Sequence, residues 1–155
     1  MDTLKNHQER AVSLFNEGYN CAQAVFAAFC DETRMDFDTA VKLSSSFGGG
    51  MGRLREVCGA VSGMFMAAGL LYGYNDPKDT EAKKQHYTLI QKLAAKFKEK
   101  NGSIVCRELL GLDHKHDGPA PEARTVAYYK KRPCAEYVRC AAEILDELIA
   151  EKENT

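Results

Sequence analysis

From Val57 to Asn75 the chain carries no charged side chain, and apolar residues fall on every side of a helical wheel drawn through it. A helix of that kind has no face to offer water, so something must cover it. Lipid is one cover. The run approaches the roughly 20 residues of a membrane span, and Gly59 and Gly63 form a GxxxG pair. Against that, Gly59, Gly63, Gly69 and Gly73 lower its hydropathy, and the segments around it are amphipathic rather than membrane-like. The expectation is a soluble helical bundle around a buried central helix at about 57–73, with no membrane span.

The flanking segments carry the matching pattern. Leu4, Ala11, Leu14 and Phe15 recur at helical spacing to about Glu17, where Gly18-Tyr19-Asn20 interrupts. Asn20, with Gln23 three residues on, reads as a capping box. The helix that follows carries Ala22, Val25, Phe26 and Phe29 on one face and ends near Cys30-Asp31. Asp36 caps a short helix through Leu43. A long surface helix runs from Thr80 to Lys100 with Tyr87, Ile90, Leu93, Ala94 and Phe97 on one face, and Asn101-Gly102 ends it. Ser103 is read as the cap of a short helix from Ile104 to Leu110. Residues 112–124 read as loop. Pro133 starts a last helix reaching about Lys152. Nothing alternates with period two for long enough to make a sheet. The fold expected is all-α, about six or seven helices in a single domain over 1–155.

Six cysteines now need a reason. The polar N-terminal run lacks the apolar stretch of a secretory signal, so the compartment expected is a reducing cytoplasm, which disfavours structural disulfides. No Cys-x-x-Cys pair occurs, which argues against thioredoxin-like, zinc-ribbon and c-type haem motifs. The formal net charge of −1 gives no pull toward nucleic acid. On the helix map, Cys21, Cys58, Cys106 and Cys134 each fall in the first turn of a different helix, where the dipole and unpaired amides favour a thiolate. Arg53 and Arg55 before Cys58, and Lys130, Lys131 and Arg132 before Cys134, add positive charge. Cys30 and Cys140 are read as packing residues. The Gly48-Gly49-Gly50-Met51-Gly52 cluster serves either as a tight turn or, through Gly49, Gly50 and Gly52, as an anion or cofactor cradle. His114 and His116 read as a solvated loop, and Tyr128-Tyr129 as core or dimer contacts.

Taken together, Gly18-Tyr19-Asn20-Cys21-Ala22, Phe47-Gly48-Gly49-Gly50-Met51-Gly52, Cys58-Gly59-Ala60-Val61-Ser62-Gly63, Cys106-Arg107-Glu108-Leu109-Leu110-Gly111 and Cys134-Ala135-Glu136-Tyr137-Val138 make the chain resemble a family. That family is the redox-active proteins named for the pattern C_GCAxxG_C_C. The resemblance implies that Cys21, Cys58, Cys106 and Cys134 are the family's cysteines. One departure is that Cys58-Gly59-Ala60 stands where the name has Gly-Cys-Ala. Three functions compete. In thiol–disulfide or electron-transfer chemistry, an oxidoreductase activity, Cys58 is the nucleophile and Cys134, Cys106 or Cys21 resolves the mixed disulfide with a redox partner. The same four cysteines could instead ligate an iron–sulfur cluster or another metal. In the third, a non-catalytic interaction protein, open to homodimer formation, simply packs them.

Overall fold

The computed structural model describes residues 6–154, and of Lys130 and Lys131 the backbone alone. Leu4, placed above in the first helix, lies outside these residues.

Local signals set most helix ends. Asn6 caps α1 (His7–Asn16) by accepting the Glu9 amide. Gly18, at φ +116°, turns the chain toward α2 (Cys21–Ala28). The capping box is present there: the Asn20 side chain accepts the Gln23 amide at 2.9 Å, and Gln23 Oε1 accepts the Asn20 amide at 3.0 Å. A one-turn helix, α3 (Cys30–Thr33), follows, so Cys30 opens a turn rather than closing α2. Asp36 caps α4 (Phe37–Ser44). After a 3₁₀ turn at Ser45–Phe47, the glycine cluster forms α5 (Gly48–Met51), in which Gly49 and Gly50 adopt left-handed φ. Next come α6 (Gly59–Tyr72) and α7 (Thr80–Asn101), the latter ended by Gly102 at φ +95°.

Two short helices depart from expectation. α8 (Cys106–Leu109) starts at Val105 rather than Ser103. The Ser103 hydroxyl instead accepts the Val105 amide and donates to Glu108, fixing the approach two residues earlier. α9 (Val126–Lys131), capped by Thr125, was not expected at all. At six residues it is too short to show an apolar period. α10 (Cys134–Glu153) then closes the chain. Among the described residues no strand forms; Val57 and Val105 make one isolated antiparallel bridge.

The core lies between α1, α2, α6 and α10. Phe15, Phe26, Phe29, Met64, Phe97 and Leu145 fill it with the largest buried side chains. α6 is buried from Gly59 to Met64 and again at Ala67 and Ala68, but its end emerges: Leu70 is 50% exposed. α7 likewise overhangs. Twenty-two residues span about 33 Å, and only Leu93 and Phe97 are buried, while Tyr87 is 53% exposed and reaches Tyr74. Among the described residues no helix is long and apolar enough to cross a membrane.

Two contacts hold this packing together. Gly59 and Gly63 lie against the backbone of α2: a Cβ on Gly63 would sit 2.7 Å from the Ala22 carbonyl oxygen, and one on Gly59 3.0 Å from the Ala22 nitrogen. Elsewhere, buried His7 joins α1 to α3 and α10, with Nδ1 2.6 Å from Asp146 and Nε2 3.0 Å from Asp31, its ring stacked on Phe29. Burial opposes a charge on this ring, but the two carboxylates outweigh it and the His7 pKa is raised.

Gly63→Ala should therefore destabilise the protein by about 1–3 kcal/mol, since strain from overpacking exceeds the gain in helix propensity. Gly69→Ala, with nothing within 4 Å of its added methyl, should be neutral or stabilise by up to about 1 kcal/mol. Urea unfolding of the two variants measures both signs. The raised His7 pKa gives stabilisation that is full below about pH 6.5 and lost as pH rises through the folded-state value. The stability gap between wild type and His7→Gln should accordingly be widest in mild acid and narrow toward pH 9.

Candidate functional site

Each of the four helix-start cysteines reaches its place by a different device. Cys21 is the first residue of α2, held by the capping box. Cys134 is the first residue of α10, directly after Pro133 at the N-cap. Cys58 is itself the N-cap of α6, one residue ahead of the expected first turn. Cys58 and Cys106 are brought side by side by paired backbone: the Cys58 amide donates to the Ile104 carbonyl at 2.8 Å, and the Cys106 amide donates to the Glu56 carbonyl at 2.5 Å. Gly50 packs into this pairing. Its φ is +69°, and a Cβ there would lie 2.6 Å from Cys106 Cβ and 2.7 Å from Arg55 Cα.

Cys21, Cys58, Cys106 and Cys134 all line one cavity of about 70 Å³. That is room for several water-sized groups, each needing about 10–15 Å³, but not for a large organic cofactor. Three arginines, Arg55, Arg124 and Arg132, share its wall with Phe15, Tyr128 and Tyr137. Gly49 and Gly50 also line it, whereas Gly52 does not. Cys30 and Cys140 lie elsewhere: Cys30 is on α3, and the Cys140 sulfur accepts from Asn101 at 3.4 Å. All six cysteines are free thiols.

Charge in the cavity comes largely from residues far along the chain. Arg55, 4% exposed, places Nη1 3.6 Å from the Cys106 sulfur and Nε 2.7 Å from Asp117. Asp117 in turn sits 2.7 Å from His114 Nε2, so that histidine supports the arginine carboxylate rather than standing free in a loop. Arg124 donates to the Phe15 and Tyr19 carbonyls and lies 4.2 Å over the Phe15 ring. Arg132 pairs with Glu122 at 2.7 Å and covers Tyr128. The side chains of Lys130 and Lys131 are outside the described residues.

The four thiols are not equivalent. Burial pushes Cys58 up to about 12, and the Ala60 and Val61 amides offset this only in part. Burial also raises Cys106, against the opposing hydrogen bond from Arg55. The Cys21 thiol hydrogen-bonds the Cys134 sulfur. That contact raises Cys21 well above the ordinary thiol range and lowers Cys134 below it. Burial works against the Cys134 thiolate, while Arg132, Arg55 and Arg124 support it. The sulfur readiest to ionise is therefore Cys134, not the Cys58 expected from sequence. A helix start favours a thiolate by a small margin, and burial reverses it at Cys58.

Among the described residues, the ligating group with donor atoms all within 4.8 Å of one another is His7, Asp31 and Glu32; the cysteines do not make such a group. A single tetrahedral zinc holds its sulfurs about 3.8 Å apart, from a Zn–S bond of about 2.3 Å. The cysteines are thus spread more widely than one metal ion requires.

Sequence reasoning reached the cysteines but missed Arg124, Asp117 and Phe15. Arg124 and Asp117 sit in a stretch that reads only as loop, and Phe15 reads only as core. A protein of Archaeoglobus fulgidus described as "Uncharacterized protein" is 27% identical over 151 residues, covering 93% of each chain. No solved structure matches. Residues 19–148 match the family described as "Putative redox-active protein (C_GCAxxG_C_C)", and with that span and those cysteines the chain belongs to the C_GCAxxG_C_C family.

Proposed function

We propose that the protein is a thiol–disulfide redox protein in which Cys134 and Cys21 form the exchanging pair. The observation that carries this reading is that both residues open helices on the wall of one cavity, and their interaction favours Cys21 as the thiol and Cys134 as the thiolate. Oxidation joins the two sulfurs, releases the Cys21 proton and passes two electrons to an oxidised redox partner. Reduction reverses this. Cys58 and Cys106, both buried, hold the neighbouring wall and are available as secondary thiols once a disulfide forms. Arg55, Arg124 and Arg132 stabilise the thiolate while it waits.

One observation favours a second reading, an iron–sulfur centre. Four cysteines and three arginines share a single cavity, and a cluster held by four thiolates carries negative charge that arginines offset. The wide spread of the sulfurs suits a multi-iron group better than a single zinc. Cys21, Cys58, Cys106 and Cys134 would be its ligands.

Mild oxidation followed by alkylation and peptide mass analysis separates the two. The thiol reading expects a Cys21–Cys134 disulfide, retained in Cys58→Ser and absent in Cys134→Ser. A Cys58–Cys106 disulfide as the first product would overturn the assignment. Brown, anaerobically purified protein with stoichiometric iron and sulfide, colourless after any one of the four Cys→Ser changes, would establish the cluster instead. Within the thiol reading, Arg55→Gln should push the Cys106 thiol still higher, because the arginine hydrogen bond opposes the effect of burial. Slower alkylation of Cys106 against pH reads this directly.

A further inference from the structure

A second, more open depression of about 250 Å³ adjoins the cysteine cavity and shares Asn20, Gly49, Arg55, Arg124, Tyr128 and Arg132 with it. Gly48, Arg53, Pro119, Pro121 and Glu122 complete its rim. Four guanidinium groups therefore surround a shallow approach to the sulfurs. Their neutralisation is incomplete. Arg53 and Arg55 share one carboxylate, Asp117, at 3.8 and 2.7 Å. Arg132 has Glu122. Arg124 is fixed by two backbone carbonyls, which orient it without cancelling its charge. Among the described side chains, four guanidinium groups against two carboxylates leave a formal excess of two, or of one while Cys134 is a thiolate.

Such a surface attracts anions, and the planar fork of arginine matches a carboxylate in particular. Asp117 and Glu122 already meet arginines of this rim, each through a single short N–O contact at 2.7 Å. We propose that this depression admits a small disulfide carrying carboxylate groups, with Arg124 and Arg132 holding the acid while Cys134 attacks the sulfur. The proposal rests on Cys134 and Cys21 being the exchanging pair. In the first step the Cys134 sulfur forms a bond to one sulfur of the substrate, and the substrate S–S bond breaks, releasing one small thiolate with its electron pair. In the second, Cys21 gives up its proton and bonds to Cys134, expelling the other half of the substrate as a second thiolate. The Cys21 proton goes to one of the two. The protein is oxidised by two electrons, and the small disulfide is reduced to one thiol and one thiolate.

Stopped-flow reaction of the full chain with two probes tests this. The probes are anionic 5,5′-dithiobis(2-nitrobenzoate) and neutral 4,4′-dithiodipyridine, each rate divided by that of 2-mercaptoethanol. The anionic probe should hold an advantage of at least about tenfold at low salt, within the range of electrostatic steering. Arg124 also supports the Cys134 thiolate, so Arg124→Gln should slow both probes, and the anionic probe at least about fivefold more than the neutral one. Because Arg124 also ties to α1, a salt titration of the unaltered protein gives a second measure. Raising salt to about 0.5 M should collapse the same advantage. Fast reaction of Cys134 with the neutral probe and no anionic preference, unaffected by Arg124→Gln or salt, overturns the anion site while leaving the thiol reading standing. Failure of both probes to produce the Cys21–Cys134 disulfide overturns both.

Discussion

The close contact of α6 on α2 governs the rest of the molecule. With hydrogen in place of a side chain at Gly59 and Gly63, the two helices approach until backbone meets backbone at Ala22. That distance sets how far Cys58, at the start of α6, stands from Cys21, at the start of α2. A methyl group at Gly63 would push the helices apart and move one sulfur away from the other. The motif that a membrane protein uses to bring helices together in lipid serves the same steric end here, with α1, α4 and α10 supplying the cover that lipid would otherwise give α2 and α6.

A second constraint acts on charge. Helix starts attract negative charge, yet the advantage is roughly 0.3–1 kcal/mol at a surface, whereas each unit of pKa shift corresponds to about 1.4 kcal/mol. Burial at Cys58 overwhelms the dipole of its long helix, and α8, at four residues, has little dipole to offer Cys106. What singles out Cys134 is a donor on its sulfur together with arginines that only the folded chain assembles. The bias of one sulfur toward the thiolate is thus a tertiary property.

The sequence was informative wherever the signal is local. Asn20 with Gln23, Asp36 and Gly102 each end or begin a helix as their chemistry requires. The four cysteines were legible because they stand at such boundaries. The ranking among them was not, since it depends on Arg55, Arg124 and Arg132 converging from three separate segments. α9 escaped notice because six residues between a loop and a proline carry no apolar period. The backbone pairing that joins Cys58 to Cys106 has no sequence signature either: it runs through single residues, Val57 and Val105, too short to alternate.

The arginines also bear on why so many thiols can share one small cavity. Four cysteines deprived of positive charge would all be biased toward the protonated form at so largely buried a site. Arg55 answers this in a particular way. It reaches the Cys106 sulfur with one nitrogen and Asp117 with another, and Asp117 is held in turn by His114 at the surface. Nearly full burial of Arg55 would be costly without that carboxylate. The loop from Asp113 to Asp117, which reads in the sequence as mere solvated polarity, is therefore what permits a buried cation beside the sulfurs. Charge at the cysteine site is sustained from the outside inward.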